Sequence, residues 1–218
     1  MTATTYELRG PVAWLTINRP EARNALNSEV REGLFAGVRR FNDDDAAKVL
    51  ILTGAGDRAF CAGGDLKEMA DTELRVPPPD FLPQFGRNIE VPKPTIAAVN
   101  GIAYAGGFLL AQNCDLCIAS ENATFAISEV KVGRGAPWAA PLPWLIPPRV
   151  AMQILLTGDP MDAARAHRRE RTAFGSRRKT DRAARRREFP DPCIRGGRTD
   201  LGARLPQPGR TGRPGRLP

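Results

Sequence analysis

Two glycine-containing turns, each placed between an apolar run and a helix-like segment, most constrain what this chain can fold into. They lie at residues 59–69 (AFCAGGDLKEM) and 99–107 (VNGIAYAGG). Glycine lets the backbone approach a ligand closely, and amides at a turn that enters a helix point at one oxygen with the help of the helix dipole. Each turn alone is also explained as a plain strand-to-helix connection. Two of them in one chain favour an oxyanion hole, the kind of site that stabilises an enolate.

Hydrophobic periodicity predicts the strands and helices around these turns. Residues 6–8 and Val12–Ile17 have strand composition and predict a hairpin. Ser28 is the predicted cap of a helix that buries one apolar stripe, and residues 49–52 and 95–99 are apolar runs typical of strands buried on both faces of a parallel sheet. The stripe consists of Val30, Leu34, Val38 and Phe41. Repeated strand, turn and helix signals predict an α/β architecture.

Several further motifs follow one another in the order of a known family. They are residues 15–27 (LTINRPEARNALN), 48–54 (KVLILTG), Cys114-Asp115, 125–133 (FAISEVKVG) and 155–166 (LLTGDPMDAARA). Together with the two turns they resemble the enoyl-CoA hydratase/isomerase (crotonase) family. The resemblance implies a crotonase-like spiral of ββα units, with residues 1–166 as the acyl-CoA-binding core. It also implies that the backbone amides of Gly64 and Gly106 hold the thioester oxygen.

The position of one catalytic glutamate departs from the family's hydratase pattern. Family members that add water resemble one another in having two glutamates, and the first of these falls here on Leu109 while the second falls on Glu129. Hydration needs both water activation and proton delivery, and leucine does neither. The resemblance therefore implies an isomerase in which Glu129 is the acid and base. Without the family context, Glu129 is better explained as a solvated glutamate favoured by a helix start.

The resemblance also implies the contacts to coenzyme A, which is part of the substrate, so that no separate cofactor is expected. Family members wrap CoA mainly with the backbone of the early loop and the first oxyanion turn. The corresponding positions are Arg23, Ala25, Ala62, Gly64, Asp65 and Leu66. Lys67, and Gly107 and Leu109 at the second turn, complete the expected substrate-binding residues. Arg23 and Lys67 would add charge near the phosphates, and Asp65 is also a predicted helix cap. The family is usually a homotrimer or hexamer.

The charge of the chain is concentrated in its last part. The whole chain of 218 residues has a net charge of +8, yet residues 165–218 alone contain 17 Lys and Arg against 5 Asp and Glu. Beyond residue 166 no helical or strand period survives, and apolar residues are too few to offset chain ordering. We expect residues 167–218 to be an Arg/Pro/Gly-rich tail, either disordered or produced by a reading-frame shift near His167. An arginine-rich nucleic-acid arm is the competing interpretation, but the aromatic interleaving typical of one is missing.

Cysteine and histidine usage excludes several classes of site. Cys114 and Cys117 have C-x-x-C spacing without a second pair, and a strand there would point them to opposite faces, so buried structural thiols are expected. The one histidine, His167, leaves residues 1–166 without a histidine-based triad or metal site. No charged leader and no long apolar run is seen, which predicts a soluble, cytoplasmic protein without a membrane partner.

Two alternatives stay open at this stage. Trp138 and Trp144 are predicted to pack in the core, with a role in an acyl pocket as the second interpretation. For the chain as a whole, the alternative to an acyl-CoA enzyme is a catalytically silent acyl-CoA binder, or a truncated product that cannot assemble.

The frame-shift hypothesis is tested by translating the underlying DNA in its other two frames after codon 167. We expect one of them to encode the helices and the Gly-Leu-Val turn with which the family continues. Two frames without any such segment would contradict the hypothesis.

Overall fold

The computed structural model describes residues 2–74 and 77–167, so the predicted tail lies outside the described residues except at His167. The described strands are β1 (Thr4–Arg9), β2 (Val12–Ile17), β3 (Val49–Gly54), β4 (Ala59–Cys61), β5 (Thr95–Val99), β6 (Ile102–Tyr104), β7 (Leu116–Ala119), β8 (Thr124–Ala126) and β9 (Met161–Asp162). The described α-helices are α1 (Ser28–Asp43), α2 (Leu66–Asp71), α3 (Gly106–Asn113), α4 (Leu142–Leu145), α5 (Pro148–Thr157) and α6 (Ala163–His167). Short 3₁₀ turns lie at Pro20–Ala22, Ser128–Val132 and Pro137–Ala139.

After the β1–β2 hairpin and α1, the chain twice repeats two strands followed by a helix, and the two strands of each repeat enter different sheets. Strands β7 and β8 are divided between the two sheets in the same way. One sheet has the order β1-β2-β3-β5-β7, and the other has the order β4-β6-β8-β9. Only the β1–β2 hairpin and the β8–β9 pair are antiparallel among the described pairings. The predicted α/β fold with parallel strands in ββα units is confirmed.

Helix α1 lies against the five-stranded sheet through its predicted stripe, which is fully buried. Its cap, however, is Asn27 and not Ser28. The Asn27 Oδ1 accepts from the Val30 backbone N–H at 3.0 Å, three residues ahead, where a cap must reach. Ser28 is the first helical residue, and its own N–H donates to Glu68 Oε2 at 2.7 Å.

The central strands are less completely covered than their sequence predicts. Along β3 and β5 alternate residues are fully buried, and their neighbours are half-buried. Beyond α2, which ends at Asp71, the proline-rich segment at residues 77–83 is irregular but packed. Leu82 within it is buried, and its carbonyl accepts from Asn88 Nδ2 at 2.8 Å.

Two predictions about cysteine and tryptophan need correction. Cys114 follows the last residue of α3 and precedes β7, so the opposite-face argument does not apply to it. Cys61 and Cys114 are nevertheless buried outside any disulfide; burial raises the pKa of Cys61 to about 12 and also raises the pKa of Cys114. Trp144 is 73% exposed, which contradicts core packing, whereas the Trp138 ring packs edge-on against Phe108.

Within residues 2–74 and 77–167, no helix is both long and apolar enough to cross a bilayer. The same residues contain no group of three or more potential metal ligands.

The corrected cap gives a stability prediction. Asn27→Ala removes the oxygen that satisfies the Val30 N–H and should lower the free energy of unfolding by about 1 kcal/mol. Ser28→Ala, the matched control, should stay within about 0.5 kcal/mol because its exposed hydroxyl does not cap the helix. Urea unfolding of both variants measures the difference; a larger loss for Ser28→Ala would contradict the assignment.

Candidate active site

The predicted oxyanion turns and the predicted acid follow three neighbouring strands of one sheet. Strands β4, β6 and β8 are adjacent and parallel in the four-stranded sheet. Gly64, Gly106 and Glu129 come shortly after their carboxyl ends. Parallel strands end at the same edge of a sheet, so the fold brings the three segments to one edge. Ligands in open α/β sheets bind at that kind of edge.

The early loop is joined to the first turn by backbone hydrogen bonds. The Ala62 N–H donates to the Arg23 carbonyl at 3.1 Å, and the Leu26 N–H donates to the Gly63 carbonyl at 2.8 Å. The Asp65 N–H donates in turn to the Leu26 carbonyl at 3.2 Å. The two segments predicted to wrap CoA are therefore one continuous backbone unit, which the sequence did not predict.

The two glycine turns are packed directly on each other. A Cβ at Gly63, where φ is +101°, would lie 2.8 Å from the Ala105 Cβ and 3.7 Å from the Gly106 N. A Cβ at Gly107 would lie 2.2 Å from the Cys61 carbonyl oxygen. These approaches exclude a side chain at either glycine, because backbone atoms cannot move aside. The second turn is further tied to β8 by the Ala105 N–H, which donates to the Ala126 carbonyl at 3.0 Å.

The amides of Gly64 and Gly106 remain available for a ligand. Neither N–H forms a hydrogen bond within the part of the chain that the structure describes. Gly106 opens α3, so the positive end of the helix dipole lies at its amide. That both amides bind one oxygen stays a prediction.

Asp65 and Arg19 stabilise the first turn from the side. As predicted, Asp65 caps α2, with its Oδ1 accepting from the Lys67 and Glu68 N–H groups at 3.1 and 3.4 Å. Its Oδ2 lies 3.0 Å from Arg19 NH1, which also donates to the Ala25 carbonyl at 2.8 Å. Burial acts to raise the pKa of Asp65, but the Arg19 bond and the amide bonds outweigh it, and the pKa is lowered. Sequence reasoning missed Arg19.

Asn24 is a second residue that sequence reasoning missed. It is fully buried with φ +55°, a backbone angle that asparagine tolerates better than most residues. Its Nδ2 donates to the carbonyls of Ala55 and Ala59 at 3.0 and 2.7 Å, and its Oδ1 accepts from the Arg19 N–H at 3.0 Å. An Asn in the turn-rich loop before the first helix was the available signal.

The other predicted substrate-binding residues divide by exposure. Arg23, Leu66 and Lys67 are exposed beside the first turn, and Leu66 reaches 76%. Gly107 is buried against Cys61, so the observed contact is a packing one. Leu109 is half-buried and packs against the hydrophobic core.

Glu129 lies in the first turn of Ser128–Val132 and is half-buried. Its Oε1 accepts from the Trp138 indole N–H at 2.9 Å. Its Oε2 is buried and has no hydrogen-bond partner among the described residues. Burial raises the pKa of this carboxyl, while its own backbone amide, the Trp138 bond and the charge of Arg134 oppose the rise. A buried carboxyl with a raised pKa is a candidate acid or base.

A family model described as enoyl-CoA hydratase/isomerase matches residues 7–169. The chain belongs to this family. It is 43% identical over 173 residues to (E)-benzylidenesuccinyl-CoA hydratase of Thauera aromatica, covering 75% of this chain and 66% of that protein. It is 39% identical over 166 residues to the carnitinyl-CoA dehydratase of Proteus mirabilis, covering 73% and 62%. The chain thus spans less than two thirds of either relative.

Solved structures agree with the family assignment. EchA1_1 of Mycobacterium paratuberculosis is 42% identical and superposes with a TM-score of 0.69, covering 77% of this chain and 66% of that one. A carnitinyl-CoA dehydratase of Mycobacterium avium gives the same identity and TM-score, covering 77% and 67%. The crotonase-like fold expected from the sequence is therefore confirmed.

The contact between the turns predicts that alanine substitution destabilises the protein at Gly107 but not at Gly135. Gly107→Ala should lower the free energy of unfolding by about 1–3 kcal/mol, because its methyl group would meet the Cys61 backbone. Gly135→Ala is the control, since nothing lies within 4 Å of its Cβ position. Thermal or urea unfolding measures both, and equal stability of the two variants would show that the turns are not in close contact.

Proposed function

We propose that this chain is an acyl-CoA thioester enzyme in which Gly64 and Gly106 stabilise an enolate and Glu129 moves a proton. The observation that carries the proposal is the placement of these three residues after neighbouring parallel strands at one sheet edge. Two amides without an acceptor and one buried carboxyl oxygen without a partner, all within the described residues, add to its support. Such amides act where negative charge develops on a carbonyl oxygen.

In the proposed reaction the two amides hold the thioester oxygen of a 3-enoyl-CoA. The Glu129 carboxylate removes a proton from C2, and the electron pair of the C–H bond moves onto the held oxygen as a dienolate. Glu129 then returns the proton to C4 as the charge flows back. The double bond moves from C3–C4 to C2–C3, and no water is consumed.

Isomerisation is favoured over hydration because the first hydratase glutamate position is occupied by Leu109. Hydration requires one group to activate water and another to deliver a proton, and a half-buried leucine supplies neither. The names of similar proteins include hydratases and dehydratases, so hydration is the competing activity of the same site.

Coenzyme A would be held as part of the substrate by the early loop and first turn, through backbone groups of Ala25, Ala62 and Leu66 together with the charges of Arg23 and Lys67. The joined backbone of these segments supports this placement. A second candidate is a catalytically silent acyl-CoA binder, or a product that cannot assemble into the trimer or hexamer usual in the family.

Glu129→Gln should reduce turnover of a 3-enoyl-CoA by about 10²–10⁴-fold while leaving thioester binding nearly unchanged, because the amide cannot carry the proton. In the parent chain, kcat/KM should fall as the pH drops through the Glu129 pKa, which burial raises above the usual range. Stopped-flow or steady-state assays with 3-enoyl and 2-enoyl thioesters measure both reactions, and calorimetry measures binding.

Glu121→Gln is the matched control, since Glu121 is exposed in the turn before β8. Full activity of Glu129→Gln would remove Glu129 from the mechanism. Thioester binding without turnover in the parent, with a monomer in sedimentation, would support the silent binder instead.

A further inference from the structure

The hydrogen bond between Trp138 and Glu129 joins the proposed acid to a residue that has no role in the proposed reaction. Trp138 Nε1 lies 2.9 Å from Glu129 Oε1, and the indole belongs to the Pro137–Ala139 turn. The indole ring packs edge-on against Phe108 with centroids 6.2 Å apart, and Phe108 packs on Phe125 at 5.2 Å. These ring contacts hold the indole against α3, through Phe108, and against β8, through Phe125. Strand β8 also leads into the turn that contains Glu129, so the indole and the carboxyl are attached to the same part of the fold.

Indole chemistry makes this contact directional. The indole N–H only donates a hydrogen bond, so the oxygen that faces it must accept. A proton on Oε1 that points at the indole would break the bond. The other oxygen, Oε2, is buried and unpartnered among the described residues.

We infer that Trp138 is a positioning residue that keeps Glu129 Oε1 as an acceptor, so that the carboxyl accepts, carries and returns a proton through Oε2 alone. The inference rests on the proposed function only where it concerns the reaction. There, the C2–H bond breaks as an Oε2–H bond forms, and the Oε2–H bond then breaks as the C4–H bond forms. Because Oε1 accepts from the indole, the carried proton stays on Oε2 and does not move to Oε1.

The charged surroundings of Glu129 are few. Helix α3, strand β8 and the Pro137–Ala139 turn contain no ionisable side chain. Arg134, in the loop after the Glu129 turn, acts on the carboxyl through its charge. Lys131 of the same turn is paired with Asp159 at 3.1 Å, and α5, which packs against the turn, contributes Arg149 at its exposed start. The indole is therefore the one neutral side-chain donor to Glu129 among the described residues.

The first test compares Trp138→Phe, which keeps an aromatic ring but loses the donor, with Trp144→Phe, which alters an exposed tryptophan. In Trp138→Phe the acid limb of the kcat/KM–pH profile should move up by about half a unit to one unit, since one hydrogen bond to the ionised form is lost. A substrate deuterated at C2 tests the same bond. Without the indole donor the carried deuteron can also sit on Oε1, so the fraction of deuterium lost to solvent should rise about two-fold. Trp144→Phe should match the parent in both. An unmoved limb and unchanged label return in a folded, active Trp138→Phe would overturn the inference while leaving the proposed function intact.

The second test needs no activity and no foldable Trp138 variant. In ¹H–¹⁵N spectra of the unmodified chain, the Trp138 indole resonance should shift with pH as Glu129 ionises, while those of Trp14 and Trp144 stay constant. Glu129→Gln should abolish the titration but keep the bond, since its amide oxygen also accepts. A Trp138 resonance that does not titrate in the parent would overturn the inference, whether or not the chain turns over an acyl-CoA. An inactive parent with a titrating indole would count against the proposed function alone.

Discussion

The contact between the two glycine turns is the constraint on which the rest of the site depends. A side chain at Gly63 or Gly107 would collide with the backbone or Cβ of the opposite turn, so the turns approach as bare main chain. That approach fixes the ends of β4 and β6 side by side. The bond from Ala105 to Ala126 then extends the same register to β8. The position of the Glu129 backbone is therefore set by main-chain contacts that begin two strands away.

A second layer of interactions keeps the first turn rigid. Asp65 is at once the cap of α2 and the ionic partner of Arg19, and Asn24 ties the early loop to Ala55 and Ala59. None of these side chains needs to touch a substrate to matter. They hold the amide of Gly64, which has no acceptor among the described residues. The proposed role of this amide in stabilising charge needs such an arrangement, because a preorganised donor requires little reorganisation. The carboxyl of Glu129 is arranged similarly. Its Oε1 accepts from the Trp138 indole, and its Oε2 has no hydrogen-bond partner among the described residues.

Sequence patterns predicted the periodic parts of the fold and the ends of several strands. The α1 stripe, the strands and the Asp65 cap could be predicted because spacing along the chain determines which face is buried. Predictions were weaker where a residue's environment comes from distant segments. Ser28 was taken as the cap although Asn27 fills that role, and Trp144 was placed in the core although it is exposed. Trp138 and Trp144 are six residues apart in similar sequence, and only the packing around Phe108 distinguishes them.

By itself the sequence determined the family, the ββα repeat and the two glycine turns. These follow from residue type and order, because glycine turns and the spacing of apolar residues are local properties of the chain. Only the tertiary structure decided that the early loop and first turn form one backbone unit, that Arg19 and Asn24 support it, and that an indole takes one oxygen of Glu129. Each of these contacts joins residues whose spacing along the chain carries no recurring pattern, so their meeting is set by how the strands align in the sheets and not by local preference.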